Sequence, residues 1–124
     1  LGFISAVSAT MIPWCVSHFY QNPDNQGITF TFDEKPTRRI AADFMQGFYA
    51  DIWMPRAVEI SVSDDDRHYT PLASVENDIP FEYKQDCYRE FGWSGQTAAR
   101  YVRLKALHNG HPGGWIFTDE IIVE

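Results

Sequence analysis

ARYVRLKALHNGHPGGWIFTDEIIVE, residues 99–124, decides the fold class. Two runs within it, Ala99–Ala106 and Trp115–Val123, are rich in Tyr, Val, Leu, Ile, Phe and Trp. Those side chains suit a pleated, half-buried surface, so each run is read as a strand. Between them, His108–Gly114 is built from His, Asn, Gly and Pro. Such residues turn a chain and can face a ligand. The unit is therefore a pair of strands presenting a polar, aromatic-edged loop.

Working outward, the same reading repeats. Ile28, Phe30 and Phe32 alternate with Thr29 and Thr31, and Val58, Ile60 and Val62 alternate with Glu59, Ser61 and Ser63. Strict alternation places one face inward and one outward. Further strands are predicted over Thr37–Phe44, His68–Val75 and Gln85–Phe91. Turns or loops are predicted at Asp33–Pro36, Asp64–Asp66, Glu76–Pro80 and Gly92–Thr97, and an aromatic-rich loop over Met45–Pro55. No segment keeps apolar residues at i, i+3, i+4, i+7 for three turns, so no helix is expected. Many short strands with turn signals between them indicate an all-β sandwich or barrel.

Composition narrows the function classes. The 124 residues make one domain of ordinary size, with enough hydrophobic residues for one core. A formal charge of −7 disfavours nucleic acid and anionic membranes but leaves neutral ligands such as sugars untouched. The uncharged start, up to Asp24, lacks a basic leading region and is interrupted by Ser, Thr, Pro and His; it reads as a buried first strand rather than a signal peptide or a span. The absence of a starting Met suggests a fragment of something longer. Cys15 and Cys87 allow either one disulfide or two buried thiols.

IAADFMQGFYADIWMPRAVEISVSDDDRHYTPLASVENDI (residues 40–79), then ARYVRLKA and WIFTDEIIVE, together resemble the discoidin, or coagulation factor 5/8 C-type, domain. The version most resembled is that at the C-terminus of family 20 glycoside hydrolases, the β-N-acetylhexosaminidases or chitobiases, often of gut bacteria. The resemblance covers roughly Ile28–Glu124. It implies an all-β jelly-roll β-sandwich of the galactose-binding-domain type. It also implies a non-catalytic carbohydrate-binding module beside the catalytic domain of a secreted, periplasmic or cell-surface hydrolase. In such relatives the carboxylate matching Glu120 often helps hold a structural Ca2+. Two departures stand out. The stretch before Ile28 lacks the usual acidic, Gly-containing loop, and Asp66 takes the place of the usual turn glycine. Asp tolerates the left-handed conformation better than most residues.

Successive loops of a sandwich alternate between its ends. On that rule the loops at Asn22–Gly27, Met45–Pro55, Glu76–Pro80 and Leu107–Gly114 share one end. Those at Asp33–Pro36, Asp64–Arg67 and Gly92–Thr97 share the other. The first end collects Asn22, Asn25, Phe48, Tyr49, Trp53, Asn77, His108, Asn109, His111 and Trp115. A pyranose offers an apolar C–H face to a ring and hydroxyls to amide and imidazole groups. Tyr49 or Trp53 is the expected stacking platform, with His108, Asn109 and His111 as hydrogen-bonding groups for galactose or an N-acetylhexosamine. Against this, Trp53 next to Met54–Pro55 equally suits a cap on the sandwich, and Trp115 suits the core.

Asp64–Asp66 look like grouped oxygen ligands, yet their place between two strands favours a solvated hairpin. No G-x-S-x-G elbow, phosphate loop or H-E-x-x-H motif is present, and no spacing singles out a carboxylate pair from Asp43, Asp51 and Glu120. The domain is therefore expected to be non-catalytic. The rival expectation is a structural domain that docks the Met45–Pro55 loop onto its catalytic neighbour without binding sugar.

Overall fold

The computed structural model describes residues 4–5, 28–107 and 116–124, with side chains described over 36–107, 116–118 and 121–124. Among these residues there are six strands: β1 (Ile4–Ser5), β2 (Ile28–Gln46), β3 (Ala57–Ser63), β4 (Thr70–Glu76), β5 (Cys87–Leu107) and β6 (Phe117–Val123). Their order is β1-β6-β2-β5-β3-β4, antiparallel throughout. Among the described residues the one helical piece is a 3-10 turn over Phe48–Ala50.

Two strands are unusually long. β2 has 19 residues and β5 has 21, against about 5–6 for an ordinary strand. They form a ribbon that serves both layers of the sandwich. Ile40–Met45 of β2 lies between β6 and the first part of β5. Ile28–Thr31 pairs instead with Tyr101–Leu104 of β5, whose other side holds β3, with β4 beyond it. Register shifts lie between Thr31 and Lys35 and between Thr37 and Arg39. Extra residues at such shifts bend a strand and increase its twist. That bend carries the ribbon from one layer into the other.

The inward faces meet in one core. Ile40, Ala42, Phe44, Phe91, Ile121 and Val123 from the first layer belong to the same buried cluster as Val58, Ile60, Val62, Val102, Leu104 and Ala106 from the second. Two sheet faces closed on one core make the chain an all-β sandwich. Phe44 and Phe91 meet edge to face with ring centroids 5.4 Å apart.

The structure corrects two predicted connections. Asp33–Pro36 and Gly92–Thr97 lie inside β2 and β5, not between strands. Among the described residues the loops Met45–Pro55 and Glu76–Pro80 meet at one end, joined by Gln46, whereas Asn22–Gly27 and residues 108–114 of the same predicted end lie outside the described residues. Lys35 and Pro36 pair with Ala99 and Ala98, and a cleft of about 280 Å³ joins Thr97–Ala99 to Ser63, Asp65 and His68. Asp64–Asp66 form the expected exposed hairpin between β3 and β4, and Asp66 takes up the left-handed conformation at φ 61°.

Candidate functional site

Gln46 ends β2, and the chain reverses at once. Gly47 N–H donates to Ile52 O (2.9 Å) and Ile52 N–H to Gly47 O (3.1 Å), closing a small loop. Ala50 N–H also donates to Gly47 O (2.9 Å), and Asp51 ends the turn left-handed at φ 58°. Tyr49 stands in this loop at 81% exposure. Phe48 supports it edge-on, centroids 5.2 Å apart.

Trp53 behaves differently. It is 3% exposed, and Phe81 stacks on it with centroids 4.0 Å apart and planes 15° apart. Phe48 meets it edge-on at 5.1 Å. Of the two expected platforms, Tyr49 is the exposed ring, while Trp53 is covered and caps the sandwich.

The turn bearing Phe81 is the part that sequence reasoning missed. Phe81, Tyr83 and Tyr88 are 42%, 41% and 60% exposed. With Tyr49 they are the large exposed hydrophobics of the described residues, and all four belong to this end. Phe81 touches Phe48 and Trp53, Tyr83 closes the Pro80 turn (Tyr83 N–H to Pro80 O, 3.1 Å), and Tyr88 pairs with Met45 one register step from Gln46. The available signal was FEYK, residues 81–84, where two rings alternate with two charges just after Pro80. Lys84 Nζ sits 5.5 Å from the Phe48 centroid, a cation over an aromatic face.

The Gln46 side chain joins these pieces from below. It is 1% exposed, and its amide donates to Pro80 O (3.0 Å) and Tyr83 O (3.1 Å) while its oxygen accepts from Met54 N–H (3.4 Å). Asn77 is turned onto its own loop, giving to Ile79 O (2.9 Å) and accepting from Ile79 N–H (3.0 Å). Arg56 N–H donates to Leu107 O (2.8 Å), and Asn77 N–H to Arg56 O (3.0 Å), so the chain reaches residue 107 at this same end. His108, Asn109, His111, Trp115, Asn22 and Asn25 lie outside the described residues. Cys87 is a half-buried free thiol whose pKa burial pushes up, and its candidate partner Cys15 also lies outside them.

Glu120 pairs with Asp43 across β2 and β6, and Asp43 pairs with Glu90 across β2 and β5. The register thus lines up three acidic residues, the donor type that calcium takes. Glu90 is already engaged by Arg39, which also reaches Glu124 (3.0 Å). Among the described residues no three His, Cys, Asp or Glu side chains come together as a metal site.

At the opposite end, Asp65 holds the hairpin. It accepts from the backbone N–H of His68 (2.9 Å) and Arg67 (2.9 Å), from His68 Nδ1 (2.8 Å) and from Ser63 Oγ (2.9 Å). Those donors, the His68 N–H foremost, hold its carboxyl well below the usual carboxylate range. Reciprocally, the bond and charge of Asp65 raise the His68 pKa.

No family model matches the chain, and no curated protein matches it in sequence. Among solved structures it is similar to a CBM32 module of a GH89 protein from Clostridium perfringens, in complex with GalNAc-β-1,3-galactose, at 16% identity and a TM-score of 0.46. It is also similar to a mutant of chitosan-binding module 1 from a chitosanase/glucanase of Paenibacillus sp. IK-5, at 15% identity and a TM-score of 0.43. Each match covers 73% of this chain, and 58% and 61% of those two chains respectively.

Proposed function

We propose that this chain is a non-catalytic carbohydrate-binding module whose aromatic loop end takes a terminal hexose or N-acetylhexosamine. The observation that carries the reading is the gathering of the exposed rings Tyr49, Phe81 and Tyr83 at one end of the sandwich. Tyr49 offers a face for the sugar's C–H bonds. His108, Asn109 and His111, which follow Leu107 in sequence, supply hydrogen bonds to its hydroxyls. Trp53 contributes by fixing Phe48 and Phe81 rather than by stacking on ligand. The resemblance to discoidin domains extends the proposal. The module belongs beside a family 20-type glycoside hydrolase, secreted, periplasmic or on a bacterial surface, with calcium at Glu120.

Calorimetric titration with galactose, N-acetylgalactosamine and GalNAc-β-1,3-galactose tests it. Millimolar binding, worth about −4 kcal/mol, is expected. Tyr49→Ala and His111→Ala should each weaken it roughly 2- to 12-fold. A folded wild-type chain that binds none of them at millimolar concentration ends the reading.

One observation favours a second reading, docking onto the catalytic domain. Tyr88, Met45 and Phe117 share one cross-strand row, so apolar surface continues from the loop end onto the sheet face, where a single sugar would not reach. Tyr88→Ala should weaken contact with that domain and leave sugar titration unchanged.

A further inference from the structure

We propose that Gln46 is the positioning residue of the aromatic end, setting the exposed rings through Phe81 and Trp53 without touching ligand. The inference rests on the carbohydrate reading for its binding consequence and on geometry alone for its structural one. By strand alternation Gln46 follows Ile40, Ala42 and Phe44 on the inward face, a place where an apolar side chain would serve burial better. A buried amide is costly unless its hydrogen bonds are made. Gln46 makes three, and each holds one side of the Trp53–Phe81 stack. Its two N–H donors take the carbonyls of Pro80 and Tyr83, which bracket Phe81. Its oxygen takes the N–H of Met54, the residue after Trp53.

One side chain therefore fixes both partners of the stack, and the stack carries the rest. Phe48 rests edge-on against Trp53 and Phe81, and Tyr49 rests against Phe48. Removing the amide leaves two carbonyls and one N–H to find other partners, which water can supply only if the turn lifts. Lifting the turn unstacks Phe81 and frees Phe48. The open ring Tyr49 then loses its defined angle, so ligand must bear the cost of ordering it.

The test uses the full chain labelled with 5-fluorotryptophan, with the Trp53 line in the 19F spectrum assigned by its loss in Trp53→Phe. Gln46→Met keeps the volume and removes the bonds. It should move the Trp53 line and weaken N-acetylgalactosamine binding roughly 3- to 10-fold. Phe81→Ala, at a half-exposed site, should do the same. The double variant should be no worse than the worse single one, because both act through one contact. Additive losses, or a Trp53 line unmoved by Gln46→Met, overturn the inference.

If Gln46→Met does not fold, Gln46→Glu decides. Its protonated acid donates one bond to the turn and its carboxylate donates none. The Trp53 line should move toward the wild-type position as pH falls, and a line insensitive to pH overturns the inference. If the wild-type chain binds no N-acetylgalactosamine, the carbohydrate reading fails, and the 19F comparison alone decides Gln46.

Discussion

Gly92→Ala separates a strand from a loop at one atom. In a loop with ordinary dihedrals, Gly→Ala stabilises by about 0.4–1 kcal/mol, because the unfolded chain loses freedom. In the structure Gly92 pairs with Ala41, and a Cβ there would lie 3.0 Å from Ala41 Cβ and 3.2 Å from the Ile40 carbonyl oxygen. Neither neighbour has room to give. Ile40 and Ala41 sit on β2 between two partners, with Val123 and Ile122 on the far side, and Ala41 is 1% exposed. Overpacking of this kind costs about 1–3 kcal/mol, so the crowding exceeds the entropic gain. A net loss of about 1–2 kcal/mol follows, which for a domain of this size lowers Tm by roughly 4–8 °C. Urea unfolding should show a lower midpoint with an unchanged slope, alongside the lower melting temperature. A variant as stable as wild type, or more so, would refute the continuous β5 and the bent ribbon it defines.

Other outcomes follow from the same geometry. Phe91→Ala removes a fully buried ring packed on Phe44 and should cost about 3–5 kcal/mol, whereas Tyr88→Ala, three residues earlier on the same strand, should stay within about 0.5 kcal/mol in the same urea assay. Below the ordinary His pKa of 6.5 the His68–Asp65 pair is charged on both sides, and its His68 contribution fades as pH rises through that residue's raised value. Asp65 contributes in the opposite sense, fully above the ordinary carboxylate pKa and less as pH falls through its lowered one. An NMR titration of the His68 ring should give a midpoint above 6.5 that Asp65→Asn brings down; an unchanged midpoint in that variant would show that the pair does not form. If calcium sits at Glu120, a chelator should lower Tm and added calcium restore it, by about 2.7 kcal/mol at 100 times Kd. A midpoint indifferent to both removes calcium from the proposal.

Much of the fold was legible because alternation is local. Val58, Ile60 and Val62, and likewise Val102, Leu104 and Ala106, are buried in the pattern their sequence sets out. The length of β2 and β5 was not legible. Asp33–Pro36 and the stretch from Gly92 to Thr97 carry residues that serve a bulge as readily as a turn, and only the pairing strand distinguishes the two. Tyr49 could be found from its aromatic loop. Phe81 and Tyr83 left only the four-residue alternation of FEYK, too short to mark a strand or a site by itself. Gln46 was hidden for a different reason. Its carbonyl partners lie 34 and 37 residues away, and the predicted strand stops at Phe44, so the alternation that turns Gln46 inward was not extended to it.

The ribbon of β2 and β5 has a mechanical consequence. The loop that carries Tyr49 begins directly at the end of β2, and β2 is laced into both layers along its length. A pull on that loop is therefore shared by the whole body rather than peeling one sheet from the other. Amide exchange under tension should show Ile40–Phe44 and Val102–Ala106 yielding together, because the strand that carries the Tyr49 loop also joins the two layers.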